Sequence, residues 1–500
     1  MAGQAPDGEP EDRCLNNKLV RDSDVFRRRN PLNQKEPLKN RACDRESRLQ
    51  EVVQEATSAS EAASQAGKLA KFVRWMTKGG LAILDNGLIS GSNFLLGILL
   101  ARWLSPDEYG AYALAFSLFI LVGFLYQALL LEPLSVFAGT TFRDNLRGYL
   151  KKALWIHWAI SLTVGVALGA AALVAKVFGH SPVLPVALAG VAVAVPFLCI
   201  HAMARRSFYL RLSPGPAAFG AAFYCAMVTG GIFVVYRLGR LTCFTAFLIM
   251  ALAALVSAVV MLLQLNKALE RTGGEPRLRE TWWQHWEYGR WALATCVVGW
   301  IPNYVYIPLV STFSGMAAAG ELRALMNLAA PVLQTYAALS MLFLPYAARV
   351  SDEEGREAAS TLTRRLAALF VAGAVVYWAV LIPLRHPLFQ FLYAGKYMDS
   401  AYLIPLFGLE TIVWSASLGP AIVLRAMKHP QSLFWANGAA SLVALVVGIP
   451  ATRYFGLQGV IWSMIAANAL YVVVAFVLYS RKVATLRMPC IELAQAAQAD

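Results

Sequence analysis

Twelve stretches of this chain are apolar over about the 20 residues that a helix needs to cross a bilayer. They lie near 79–103, 110–136, 153–178, 183–204, 215–236 and 243–265, then 289–312, 320–348, 364–384, 400–424, 432–452 and 458–480. Strands of a membrane barrel would be about half as long, so the pattern predicts an all-α polytopic membrane protein with twelve transmembrane helices. Composition agrees, with 58% of residues hydrophobic and 15% charged, against about 25% charged in soluble domains. The formal net charge of +14 does not point to nucleic acid. Its basic residues sit between apolar spans, where they fix orientation in the membrane.

The spans divide into two sets of six. The stretch from Gly79 to Leu118 and the stretch from Gly289 to Leu328 are faint copies at an offset of 210 residues. Gly79 falls on Gly289, Asn93 on Asn303, Leu99 on Leu309 and Gly110 on Gly320. A repeat in a hydrophobic chain is a sign of a transporter built from two related lobes with a path between them. The expected organisation is a tail over 1–75, a first lobe over 76–265, a linker over 266–288, a second lobe over 289–480 and a short tail over 481–500. The linker carries Trp282, Trp283, Trp286 and Tyr288, which read as an aromatic anchor lying in the headgroups.

Basic residues give the orientation. Loops on the side of the tails hold 21 Lys and Arg and the opposite loops hold 8, with the long tail left out. By the positive-inside rule both termini are cytoplasmic. A polar tail precedes the first apolar span, which is not the pattern of a cleavable signal peptide. The tail has too little apolar surface for a core. Residues 45–73 read as a helix on the anionic leaflet, or else the true start is Met76. Seven cysteines without a CxxC pair read as free thiols.

The far-side loops are short, and Walker A, HExxH and GxSxG patterns and metal-spaced His/Cys clusters are lacking. A membrane polymerase or ligase would need outward catalytic residues, for which Arg385, His386 and Lys396 are the candidates. The reading is therefore transport rather than catalysis.

Polar residues at membrane depth mark the candidate path, since such groups usually face a bundle interior or a wet cavity. Asp85 lies about two turns into the first span, at the edge of a face formed by Asn86, Ser90, Asn93 and Gly97. That face is either a small-residue packing seam or part of a cavity. In the eighth span Arg323, Asn327, Pro331 and Gln334 share one face, and Arg323 either snorkels to the headgroups or reaches a cavity. Asn93, Asn303, Asn327, Gln334, Arg323 and Arg290 are the candidate substrate contacts, and Asp85 and Glu410 the candidate ion-coupling carboxylates. Arg205, Arg206 and Arg425 close spans and read as ordinary anchors. Gly87 and Gly91 in the first span, with Pro302 and Pro308 in the seventh, weaken the helix at matching depth and are the candidate hinges.

Several segments carry a family resemblance. Gly91–Ser117, with LSPDEYG from Leu104, LLEPLSVFAG from Leu130, RRSFYLRLSP from Arg205 and VSTFSGMAAAGELRALMNL from Val310, resemble the polysaccharide-type flippases of the multidrug/oligosaccharidyl-lipid/polysaccharide exporter superfamily. The resemblance covers about Met76 to Lys482. It implies a V-shaped bundle of two pseudo-twofold, six-helix lobes in a bacterial inner membrane. It also implies a polyprenyl-pyrophosphate-linked oligosaccharide as cargo, membrane lipids and glycan-assembly enzymes as partners, and a proton or sodium gradient with no bound cofactor. Cavity arginines that grip phosphate are implied too, and Arg323 is the best match here. A cation-coupled multidrug antiporter of the same superfamily is the second reading, and a membrane glycan polymerase or ligase the third.

Overall fold

The computed structural model describes residues 76–484 except His180, Leu212 and 270–275. The expected surface helix over 45–73 lies outside the described residues. Helices occupy all twelve expected positions. Ten are long and apolar enough to cross a membrane: Met76–Trp103, Pro106–Gly139, Arg143–Phe178, Val183–Leu210, Pro214–Arg237, Cys243–Lys267, Met316–Glu353, Gly355–Leu381, Met398–Ala426 and Gly448–Val483. The seventh span is a pair, Leu278–Tyr304 and Tyr306–Phe313, bent by 51°. The eleventh, Pro430–Val446, has 17 residues and so rises about 25 Å at 1.5 Å per residue. Twelve helices crossing in turn put residues 76 and 484 on one face of the bundle, called here the tail face, and the opposite one is the far face. The described cysteines, Cys199, Cys225, Cys243 and Cys296, are free thiols.

Packing follows the repeat. The fourth span packs on the third and sixth and the fifth on the sixth, while the twelfth packs on the tenth and eleventh and the ninth on the tenth. The second span is the main bridge, lying against both the seventh and the eighth. At its far end Gly110 meets Gly320, the same pair that the 210-residue offset aligns. A Cβ on either glycine would lie 3.1 Å from the other's backbone nitrogen. Equivalent positions that meet symmetrically place a pseudo-twofold axis between them. With six spans per half, both halves enter from one face, so the axis runs along the membrane normal.

Prolines shape the seams between spans. A proline lacks the N–H that would bond the carbonyl four residues back, and a carbonyl freed inside a membrane needs a donor from elsewhere. Pro302 frees Val298, whose carbonyl takes the Ser441 hydroxyl of the eleventh span at 2.9 Å. Pro133 frees Leu129 within a stretch of π-helix, Gln127–Leu131. Its carbonyl takes Nδ1–H of His285 from the seventh span at 3.2 Å, and the Tyr149 hydroxyl bonds the other ring nitrogen at 2.7 Å.

Two expectations change here. His285 belongs to the transmembrane helix and is fully buried, so the 278–288 stretch is a helix end wedged between the spans. Only its outer side, with Trp282, Trp283 and Tyr288, stays exposed. The first span also runs unbroken through Gly87 and Gly91. Glycine keeps its N–H and lowers helix stability by only about 1 kcal/mol against alanine, whereas Pro302 and Pro308 remove hydrogen bonds. The seventh span bends at its prolines, and the twelfth is kinked at Gly456, where φ is 56°.

His285→Ala is expected to leave the Leu129 carbonyl without a side-chain donor, at about 1–3 kcal/mol for a buried unsatisfied group. A lowered thermal midpoint in detergent, partly restored in His285→Gln, is the expected result. An unchanged midpoint in His285→Ala would show that this joint is idle.

Candidate functional site

Between the halves the seam is tight towards the far face and, between the first and eighth spans, loosens towards the tail face. At Gly110 a Cβ would sit 1.7 Å from the Met316 carbonyl oxygen, and at Gly320 it would sit 2.8 Å from that of Pro106. Backbone therefore touches backbone, as only small residues permit. One layer deeper, Asn327 donates from Nδ2 to the Tyr109 hydroxyl at 2.8 Å, and a Cβ at Gly97 would lie 2.9 Å from the same amide. Beyond this layer the first and eighth spans part, while the second and seventh stay in contact, a Cβ at Gly289 lying 2.8 Å from the Ala128 carbonyl oxygen. Nothing lies within 4 Å of a Cβ built at Gly91 or Gly87, and Pro331, Gln334 and Thr335 on the eighth span are exposed.

Arg323 lies one helical turn from Asn327, at the far-face end of this parting. Its guanidinium lies 5.2 Å from the Phe116 ring centroid, a cation–π contact across the seam. Its Nε is buried without a hydrogen-bond partner, and among the described residues no ion pair is found for it. Of the two sequence readings, snorkelling is not what the side chain does in this conformation. It points at the second span.

The other candidates fall in different places. Asn327 is buried and committed to Tyr109, which makes it a clasp between halves rather than an open contact. Asn93 is half-buried and Gln334 exposed on the loosened part of the seam. Asn303 is exposed and bonds back to the Gly299 carbonyl at 2.9 Å. Arg290 stays at the tail end of its helix, exposed, with its guanidinium 5.5 Å from the Trp291 ring centroid. Arg290 thus lies towards the tail face and Arg323 towards the far face.

The two carboxylates differ in kind. Asp85 is fully buried and gripped by Arg205 through a two-pronged pair, Nε to Oδ1 at 2.9 Å and Nη2 to Oδ2 at 2.7 Å. The Tyr209 hydroxyl adds a third bond to Oδ2 at 2.5 Å. Such a fork fits both guanidinium and carboxylate geometry. Arg205 is therefore the partner of Asp85, not a plain anchor. Arg206 donates to the Ser135 hydroxyl at 2.7 Å. Glu410 has amide and hydroxyl partners, Asn468 at 2.6 Å and Thr411 at 3.2 Å, and no cation pairs with it among the described residues. By sequence alone Arg205 reads as an anchor, and Tyr209, Asn468 and the burial of His285 go unmarked. Arg205 and Tyr209 stand four apart and so share a helix face, a signal that was available.

The arrangement defines a class: a two-lobed helical membrane bundle with a seam sealed towards one face, and a cation without an ion pair among the described residues where the first and eighth spans begin to part towards the other. A family model described as polysaccharide biosynthesis protein matches residues 99–402. The chain belongs to that family. No curated protein sequence matches it significantly.

Solved structures share the fold at low identity. A multidrug resistance MATE transporter of the MOP superfamily, inward-facing, is 14% identical over 81% of this chain and 98% of its own, with a TM-score of 0.63. The lipid II flippase MurJ, inward closed, is 14% identical over 80% and 87%, with a TM-score of 0.61. A MOP superfamily transporter from Pyrococcus furiosus is 13% identical over 81% and 94%, with a TM-score of 0.57. The fold is that of this superfamily.

Proposed function

We propose that the protein moves the anionic headgroup of a lipid-linked saccharide across a bacterial cell membrane, from a cytoplasmic tail face to the far face. The two lobes rock about their seam, while the lipid tail of the cargo remains in the bilayer. One observation carries the reading: among the described residues Arg323 stands half-buried and without a carboxylate, where the first and eighth spans begin to part towards the tail face. A guanidinium stays charged and grips phosphate in a bidentate fork. Cargo delivered at the far face would serve a glycan polymerase or transferase, so the protein supplies a substrate and does no chemistry itself. Glu410 is the proposed coupling group for a proton or sodium gradient, because its partners leave its charge uncompensated.

That same carboxylate supports a second reading, a cation-coupled drug antiporter, in keeping with the fold shared with the MATE transporter. The two part at Arg323, since a cationic drug has no use for an arginine.

Depletion of the protein should make lipid-linked saccharide accumulate in the inner leaflet. Arg323→Ala should lower flipping of such a lipid in proteoliposomes by about 10- to 100-fold, the worth of a charge-assisted hydrogen bond. Arg323→Lys should recover little of that loss, because an ammonium lacks the fork. Full activity with lysine would mean that only a point charge is needed, and full activity with alanine would remove the phosphate role.

A further inference from the structure

We propose that a far-face strap, Arg385–Leu403, is the latch that holds the lobes shut, and that it works by exchanging helix caps between them. The inference rests on the alternating-access reading and names the contact that must break in each cycle.

The first span ends at Trp103. A helix end leaves carbonyls without intrahelical donors and carries partial negative charge. Two such carbonyls, of Arg102 and Leu104, accept from Nζ of Lys396 at 2.8 and 2.7 Å. The reverse exchange also occurs. The short helix Arg385–Tyr393 ends on the same face, and its Phe391 carbonyl accepts from the Arg102 guanidinium. Each half thus places one cation on the other half's helix terminus. Both contacts join residues nearly 300 positions apart, on opposite sides of the seam.

The strap is built for the task. Ala394, Gly395 and Tyr397 have φ of 55°, 79° and 65°, so the turn presenting Lys396 is left-handed at residues other than glycine. L side chains rarely adopt that conformation, and it persists only where surroundings hold it. The holders are visible. Tyr397 is buried with its ring 6.2 Å from Tyr109 and 5.8 Å from Tyr393, and the Ser400 hydroxyl bonds Glu321 at 2.5 Å. Burial draws the Lys396 ammonium below its ordinary pKa, and the two carbonyls offset that desolvation.

The latch also accounts for a segment of the sequence. In LSPDEYG, Leu104 supplies a latch carbonyl and the Ser105 hydroxyl caps the second span through the Glu108 N–H at 3.2 Å. Tyr109 bonds Asn327, and Gly110 meets Gly320. Four neighbours in that motif serve one closed seam. Lys396 and Arg102 differ from their surroundings in kind: they are charged donors whose acceptors are backbone, so they release without leaving a buried carboxylate behind.

The test measures the far-face distance by pulsed electron resonance. Spin labels go on Arg240→Cys in one half and Tyr454→Cys in the other, both exposed sites, in full-length protein with its native cysteines replaced by alanine. Lys396→Met is expected to add a longer-distance population and raise the open-to-closed ratio about tenfold, as loss of a charged hydrogen bond implies. Lys396→Arg should keep the closed distance, and Lys396→Gln should fall between. Adding Arg102→Met to Lys396→Met should open the face further. A distribution unchanged in both Lys396→Met and the double variant, each monodisperse, would overturn the latch. The parent reading fails separately: transport that survives a crosslink between the two labelled positions would remove alternating access and leave the distance result standing.

Discussion

Asp85→Ala is expected to be among the most damaging single changes in the molecule, lowering stability by about 3–5 kcal/mol. The substitution leaves Arg205, whose side chain is 15% exposed, without the carboxylate that takes two of its donors, and it frees the Tyr209 hydroxyl as well. Breaking one side of a buried pair exceeds the worth of the pair itself, because the survivor keeps its desolvation penalty. The double change Asp85→Leu with Arg205→Met removes both charges and should recover most of the loss. Thermal unfolding in detergent checks the pattern: a deep drop for the single variant and a small one for the double. Asp85→Asn should fall between them, since an amide oxygen can still accept one guanidinium N–H. Transport in the double variant then separates two roles. A coupling site would be lost with the carboxylate, while a structural pair replaced by apolar side chains should still carry cargo. Retained transport is the expected result, and a stable but uncoupled double variant would return Asp85 to the coupling path.

The comparison between sequence and structure turns on reach. The repeat offset paired Gly110 with Gly320 before any contact was known, and the two glycines meet across the axis. Pro302 and Pro308 announce the bend of the seventh span, because a missing N–H is a local fact. Gly87 and Gly91 looked equivalent and are not, since neither removes a bond. Asp85 stood out as a charge in an apolar helix, yet periodicity gives a face and never a neighbour. Its partner lies 120 residues away, in a pair of arginines that resembles every other basic span end. His285 was hidden for a further reason. Its aromatic surroundings read as a membrane anchor, whereas the cause of its burial is a carbonyl freed by Pro133, on another span. Arg323 was legible as a candidate and illegible as to direction, because snorkelling and crossing the seam start from the same backbone position.

Gly110→Ala is the second large expected effect, and it tests closure alone. Its new Cβ would start 1.7 Å from the Met316 carbonyl oxygen, a backbone atom that cannot move without carrying the eighth span with it. Overpacking of this kind usually amounts to about 1–3 kcal/mol, and here it is charged to the closed far face, where the two backbones meet. In a two-state balance that is about a 5- to 150-fold loss of the closed population. Gly320→Ala should be milder, because its Cβ starts 2.8 Å from the Pro106 oxygen. Both variants should fold, since each half retains its own packing, and both should lengthen the far-face distance in the order Gly110→Ala over Gly320→Ala. Flipping should fall in the same order: a carrier that cannot seal one face leaves its cargo site turned away from the supply side. The latch and the glycine contact act on one equilibrium by opposite means, one by attraction and one by permitted approach. Lys396→Met added to Gly110→Ala should therefore shift little further once the face already stands open. Transport at the wild-type level in Gly110→Ala would mean that the far face need not close, and the rocking cycle would go with it.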